Sequence, residues 1–109
     1  MQNLRSKNIR SKKLLRGAKD QSCVRCGSRG TVAAHYQGYR SQSFGKGMGI
    51  KPHDLCIADL CMNCHKLFDS YQGGFAADKF ERKIELSERF LYYIMLTLIR
   101  RFEQGILHD

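Results

Sequence analysis

The last third of the chain carries its longest periodic pattern. Phe80, Ile84, Leu91, Met95, Leu98 and Phe102 recur at helical spacing on one stripe, which predicts a single helix over about 77–104. Asp78 and Glu81 near its start, and Arg100 and Arg101 near its end, agree with the helix dipole. From Phe90 to Ile99 apolar residues surround the helix almost completely, more than one buried face requires. That excess predicts pairing with a second copy, a homodimer through this helix.

Shorter patterns precede it. Thr31 to Tyr36 is β-prone and predicts the first strand of a hairpin; the mostly apolar run Leu55 to Leu60 predicts the second strand or a buried turn. Cys61 should open a helix that runs to about residue 71 and stops at Gly73-Gly74. Between the strands, Gly38 to Gly49 is Gly-rich, basic and without apolar period, which predicts a mobile connection. Its Arg40 and Lys46, with the following Lys51, equally suit a loop that contacts phosphate. Pro52 then forces an extended approach to the second strand.

Charge adds a partner class. The 109 residues hold 19 Lys and Arg against 10 Asp and Glu, a formal net charge of +9, which points to polyanions such as nucleic acid. Residues 1–22 concentrate it: Arg5, Lys7, Arg10, Lys12, Lys13, Arg16 and Lys19 face one acid, Asp20. This arm has no apolar face beyond a turn anchored by Leu14-Leu15. Alone it reads as a solvated tail; beside a nucleic-acid enzyme it reads as a phosphate-binding arm. No apolar run approaches the ~18 residues of a membrane span, and no signal peptide is recognisable, so the expected setting is cytoplasmic with no membrane partner.

The cysteines add a metal. Cys23 and Cys26 form one Cys-x-x-Cys pair, Cys61 and Cys64 a second, and four thiolates suit a closed, structural Zn²⁺ shell. Gly27 and Gly30 would permit the tight turn around the first pair. Cys56, in an apolar run, reads as a small buried hydrophobe. Cys61 to His65 also spells the covalent haem motif, but that reading leaves Cys23 and Cys26 unexplained. A disulfide framework needs an oxidising compartment. Zinc is the better reading, and it organises the chain into a basic arm (1–22), a zinc-stapled domain (23–74) and a C-terminal helix (75–109).

His65 and Asp69 stand at i, i+4 on the helix that Cys61 opens. Pinning the hairpin to that helix by the two Cys pairs would bring His35 over the same face. A lone His is more often structural; three converging candidates change the weighting.

In this arrangement the chain resembles the zinc-stapled form of the HNH, or ββα-metal, nucleases, and more closely the small phage and prophage nuclease-domain proteins of the YbcO type. The resemblance rests on Ala34-His35, Gly45 to Gly49, Lys51-Pro52-His53-Asp54 and Cys61 to Asp69, and covers about residues 20–72. It implies a small zinc-bound ββα-metal core, and with the basic arm and the long C-terminal helix, which lie outside it, the expected fold class is α+β. It also implies metal-dependent endonuclease activity on DNA, RNA not being excluded, in phage or prophage recombination or processing. His35 would be the general base, His65 and Asp69 would hold catalytic Mg²⁺ or Mn²⁺, and Asp54 would replace the family's central Asn. Arg10, Lys12, Lys13, Arg16, Arg40, Lys46 and Lys51 would hold the nucleic-acid backbone. One departure stands: Ala34 occupies a position where many such enzymes carry an acidic or His metal ligand. Asp54 or water would then complete the metal shell, or His35 would itself be a ligand, or activity is lost. The alternative function is a non-catalytic, zinc-stapled nucleic-acid-binding module.

Overall fold

The computed structural model describes residues 8–70 and 78–106. The expected helix stop at Gly73-Gly74, the first residues of the predicted C-terminal helix, and Arg5 and Lys7 of the arm lie outside them. The architecture is α+β: α1 (Lys12–Arg16), β1 (Thr31–His35), a 3₁₀ turn (Ser41–Phe44), β2 (Ile57–Cys61), α2 (Met62–Asp69) and α3 (Lys79–Glu103). The strands form one antiparallel pair, with Thr31 opposite Cys61, Ala33 opposite Asp59 and His35 opposite Ile57. Every residue of β2 is buried, whereas β1 buries only Thr31 and Ala34, and β2 is the strand that α3 covers.

An aromatic chain links the layers. Tyr36, just after β1, packs against Phe44 of the 3₁₀ turn and Phe90 of α3, with ring centroids 5.9 and 5.8 Å away. Phe68 of α2 meets Phe90 edge-on at 5.3 Å. These tilted and edge-to-face geometries are the preferred ones for aromatic pairs. The connection expected to be mobile is therefore held at its middle: Phe44 docks on Tyr36, and the Tyr36 hydroxyl accepts from the Arg40 backbone N–H at 2.9 Å.

The buried face of α3 is not the predicted stripe. Leu86, Phe90, Ile94, Thr97 and Arg101 point inward, while Phe80, Ile84, Met95 and Phe102 are exposed and Leu91 and Leu98 are only half-buried. The reason is Asp59. This carboxylate, fully buried in β2, meets Arg101, also fully buried, through bonds of 2.8 Å from Nη1 and 2.5 Å from Nη2. Arg100 adds a third donor at 3.0 Å, and Thr97 Oγ1 accepts from the Asp59 backbone N–H. Both faces of α3 are apolar enough to bury, and only one of them carries the partners that a buried carboxylate needs.

The basic arm is likewise part of the fold from residue 8 onward. Leu14 and Ala18 are buried, the Leu14 carbonyl accepts from Arg101 Nε, and the Ala18 carbonyl accepts from Thr31 Oγ1 at 2.7 Å. It is not a solvated tail. Its tertiary contacts are mainly hydrogen bonds, which leave no apolar period to read.

Replacing Arg101 by Met should lower unfolding free energy by about 3–5 kcal/mol, because it strands a buried carboxylate. Urea unfolding of the variant checks this. A loss below about 1 kcal/mol would show the pair to be incidental.

Candidate functional site

Cys23, Cys26, Cys61 and Cys64 bring their four sulfurs within 4.8 Å of one another. Among the described residues this is the one cluster of three or more candidate metal ligands at such range. The first pair sits on a turn in which the Cys23 N–H donates to the Ser28 carbonyl at 2.7 Å, with Gly27 and Gly30 at φ of 83° and 85°. Side chains seldom tolerate that conformation, as the sequence led one to expect. The second pair opens α2, where Cys61 is the N-cap and its Sγ accepts from the Cys64 N–H.

The donor set fits zinc. Cys26 Sγ and Cys61 Sγ are 3.6 Å apart, close to the ~3.8 Å edge of a tetrahedron with Zn–S bonds of about 2.3 Å, and far from the ~2.05 Å of a disulfide. Ser28, through its hydroxyl and backbone N–H, lowers the Cys26 thiol to about 6. Burial pushes Cys64 up to about 12 in the metal-free cluster, even though Arg25 Nη1 lies 3.4 Å from its sulfur. A thiophilic dication is what would let all four ionise together, with Arg25 beside them to offset surplus negative charge. Cys56 stands apart; it is half-buried, and burial raises its thiol pKa.

A second constellation centres on His35, at the end of β1. Its Nε2 lies 2.8 Å from Oδ1 of Asp54, whose side chain is 3% exposed. Burial alone would raise the Asp54 pKa. Hydrogen bonds from His35 and the Ser11 N–H, with the nearby Arg10 charge, outweigh it and hold the carboxyl below its ordinary value of 3.8. Asp54 is therefore an acceptor at neutral pH. A neutral His35 then carries its proton on Nε2 and keeps Nδ1 as the basic nitrogen.

His35 borders two clefts. One, of about 160 Å³, is shared with Gln37, Asp69 and Ser87 above a floor of Phe68 and Phe90. The other is a groove of about 420 Å³ lined by Arg16, Lys19, Lys51 and His35. Asp69 thus reaches the cleft of His35, as expected. His65 does not line that cleft and meets Asp69 itself, Nε2 to Oδ2 at 3.5 Å. His65 is half-buried and Asp69 exposed, and together they belong to no cluster of three candidate metal ligands among the described residues.

The basic residues separate into groups. Arg16 and Lys51 line the groove, together with Lys19, which the sequence placed in the arm but not among the site residues. Lys12 and Lys13 are exposed on α1. Arg40 instead pairs with Glu88 of α3 at 3.2 Å, and half-buried Lys46 lies outside the groove lining. Arg10 is spent on the chain itself, donating to the Pro52 and Lys51 carbonyls at 2.5 and 2.7 Å.

No described helix is long and apolar enough to cross a membrane. A family model described as "Protein of unknown function (DUF968)" matches residues 1–96. No curated protein and no solved structure matches the chain.

Protein purified without chelators should carry about one zinc per chain, and stripping it should unfold the hairpin and α2. Metal analysis paired with circular dichroism reads both, and a metal-free protein with native stability would refute the site. A second expectation concerns Asp54. Because its folded pKa is depressed, its stabilisation is complete above the unfolded carboxylate's value and is lost only as pH falls through the lower folded one. Asp54→Asn should therefore cost about 1–3 kcal/mol at pH 7, and that cost should not shrink by pH 5. A cost that fades over this interval would place the titration far higher.

Proposed function

We propose that this chain, which belongs to the DUF968 family, is a zinc-stapled, metal-dependent endonuclease that hydrolyses DNA phosphodiesters, in the manner of the HNH nucleases it resembles. The observation that carries the reading is the position of His35. It is a histidine whose Nε2 faces a buried carboxylate, at the edge of a groove lined by Arg16, Lys19 and Lys51.

In this reading the three cations hold the sugar-phosphate backbone by charge and hydrogen bonding, without reading bases. His35 takes a proton from the attacking water through Nδ1, and Asp54 stabilises the imidazolium that results. His65 and Asp69 are the residues that would hold Mg²⁺ or Mn²⁺, a cation that would supply charge neutralisation on the phosphate and leaving oxygen. Partners under this reading are DNA, in phage or prophage recombination or processing, and a second copy of the chain along the exposed face of α3 that carries Tyr92, Met95, Ile99 and Phe102.

A second reading, a non-catalytic nucleic-acid-binding module, is favoured by one observation. With Ala34 buried beside His35, the described residues form no cluster of three hard-cation ligands. The two readings part at His35. Nicking of plasmid DNA in Mg²⁺ or Mn²⁺ should fall by about 100-fold or more in His35→Ala while DNA affinity is kept. If wild type and variant bind alike and neither cleaves with any divalent ion, the binding-module reading replaces the nuclease.

A further inference from the structure

Residues 8–11 run alongside residues 51–54, and the contacts between them converge on Asp54. The Asp54 N–H donates to the Ile9 carbonyl at 2.9 Å, and the Ile9 N–H donates to His53 Nδ1 at 2.8 Å. Asn8 Nδ2 donates to the carbonyls of Gly45 and Lys51 at 2.6 and 2.9 Å. Gly45 has a φ of 94°, and a Cβ there would collide with the Asn8 side chain, so the close approach requires glycine twice over. Arg10 ties down the Lys51 and Pro52 carbonyls, and its Nη1 also lies 3.4 Å from Asp54 Oδ1. The Ser11 N–H donates to Asp54 Oδ2 at 2.6 Å.

The two oxygens of Asp54 are thus divided. Oδ2 is held by the Ser11 backbone, while Oδ1 faces both His35 and Arg10. Rotating the carboxylate would cost the Ser11 bond to Oδ2, so Oδ1 presents a favoured acceptor to the imidazole. Without residues 8–11 Asp54 would lose the donors that set its plane, and its bond to His35 Nε2 would weaken with them.

We infer that residues 8–11 are the positioning element of His35, with Arg10 as a positioning residue that orients Asp54 rather than a phosphate contact. The catalytic consequence rests on the nuclease reading; the effect on the imidazole does not. The segment that sequence treats as a nucleic-acid-binding arm is divided by function. Arg16 and Lys19 face the groove, and residues 8–11 complete the histidine pair.

The test compares Arg10→Ala, Arg10→Lys and Arg16→Ala in the zinc-loaded full chain. The nitrogen–proton correlation spectrum of the imidazoles reads the His35 tautomer without any activity. Wild type should show one tautomer, protonated at Nε2, and Arg16→Ala should keep it. Arg10→Ala should shift His35 toward a mixture. Arg10→Lys keeps the charge but not the planar fork, so it should bind DNA as wild type does and still fail to restore a single tautomer. In cleavage assays Arg10→Ala should lower kcat by about 10-fold or more with DNA affinity within about 3-fold, whereas Arg16→Ala should show its main loss in affinity. A retained amide spectrum for α3 and the zinc turn verifies that each variant is folded. If Arg10→Ala leaves the His35 signals unchanged and loses only DNA affinity, the inference is overturned. If the tautomer shifts in a protein that never cleaves DNA, the positioning role stands and the nuclease reading alone fails.

Discussion

The carboxylate of Asp59 is the constraint on which the described structure depends. It has no access to water, and an unpaired charge there would be worth several kcal/mol against folding. Arg101 answers it bidentately, and its Nε–H donates to the Leu14 carbonyl of α1. Arg100 extends the network to Ser22 at 2.8 Å, and the Asp59 carbonyl accepts from the Val24 N–H. One strand residue thus sets the rotation of α3, the docking of α1 and the position of the first cysteine pair. A hydrophobic residue at 59 would bury as well, but it would leave α3 two apolar faces of similar merit to choose between.

What could be read from the sequence was local. The two Cys-x-x-Cys pairs, the glycines at 27 and 30, the β-prone run at 31 and the 25-residue helix each carry their signal within a few residues. The long-range decisions did not. The wrong stripe on α3 came from counting apolar positions alone. A lone acid inside the apolar run Leu55–Leu60 was a signal that some basic residue must be buried with it, and Arg101 stood at the right helical phase. Residues 8–11 escaped for another reason. They attach through backbone groups and polar side chains, and hydrogen bonds of that kind leave no hydrophobic period.

The four-cysteine cluster and the His35–Asp54 pair are joined by β1 and β2. Thr31 and Cys61 are partners at the metal end of the ladder, and His35 and Ile57 are partners at the other. The cysteine cluster and His35 are therefore tied to each other by strand register. A slip of one residue would move His35 off the face that Asp54 occupies, and the sulfurs at the far end of the ladder oppose such a slip.

The separation between Asp59 and Arg101, 42 residues, also has a temporal side. During synthesis the strand residue leaves the ribosome while its partner has not yet been made. Until then β2 cannot close over a charged side chain without cost, although all four clustered cysteines, between residues 23 and 64, are made before Arg101. Burial of the ion pair is thus the step that needs the last turn of α3, whereas the clustering of the four cysteines needs none of it.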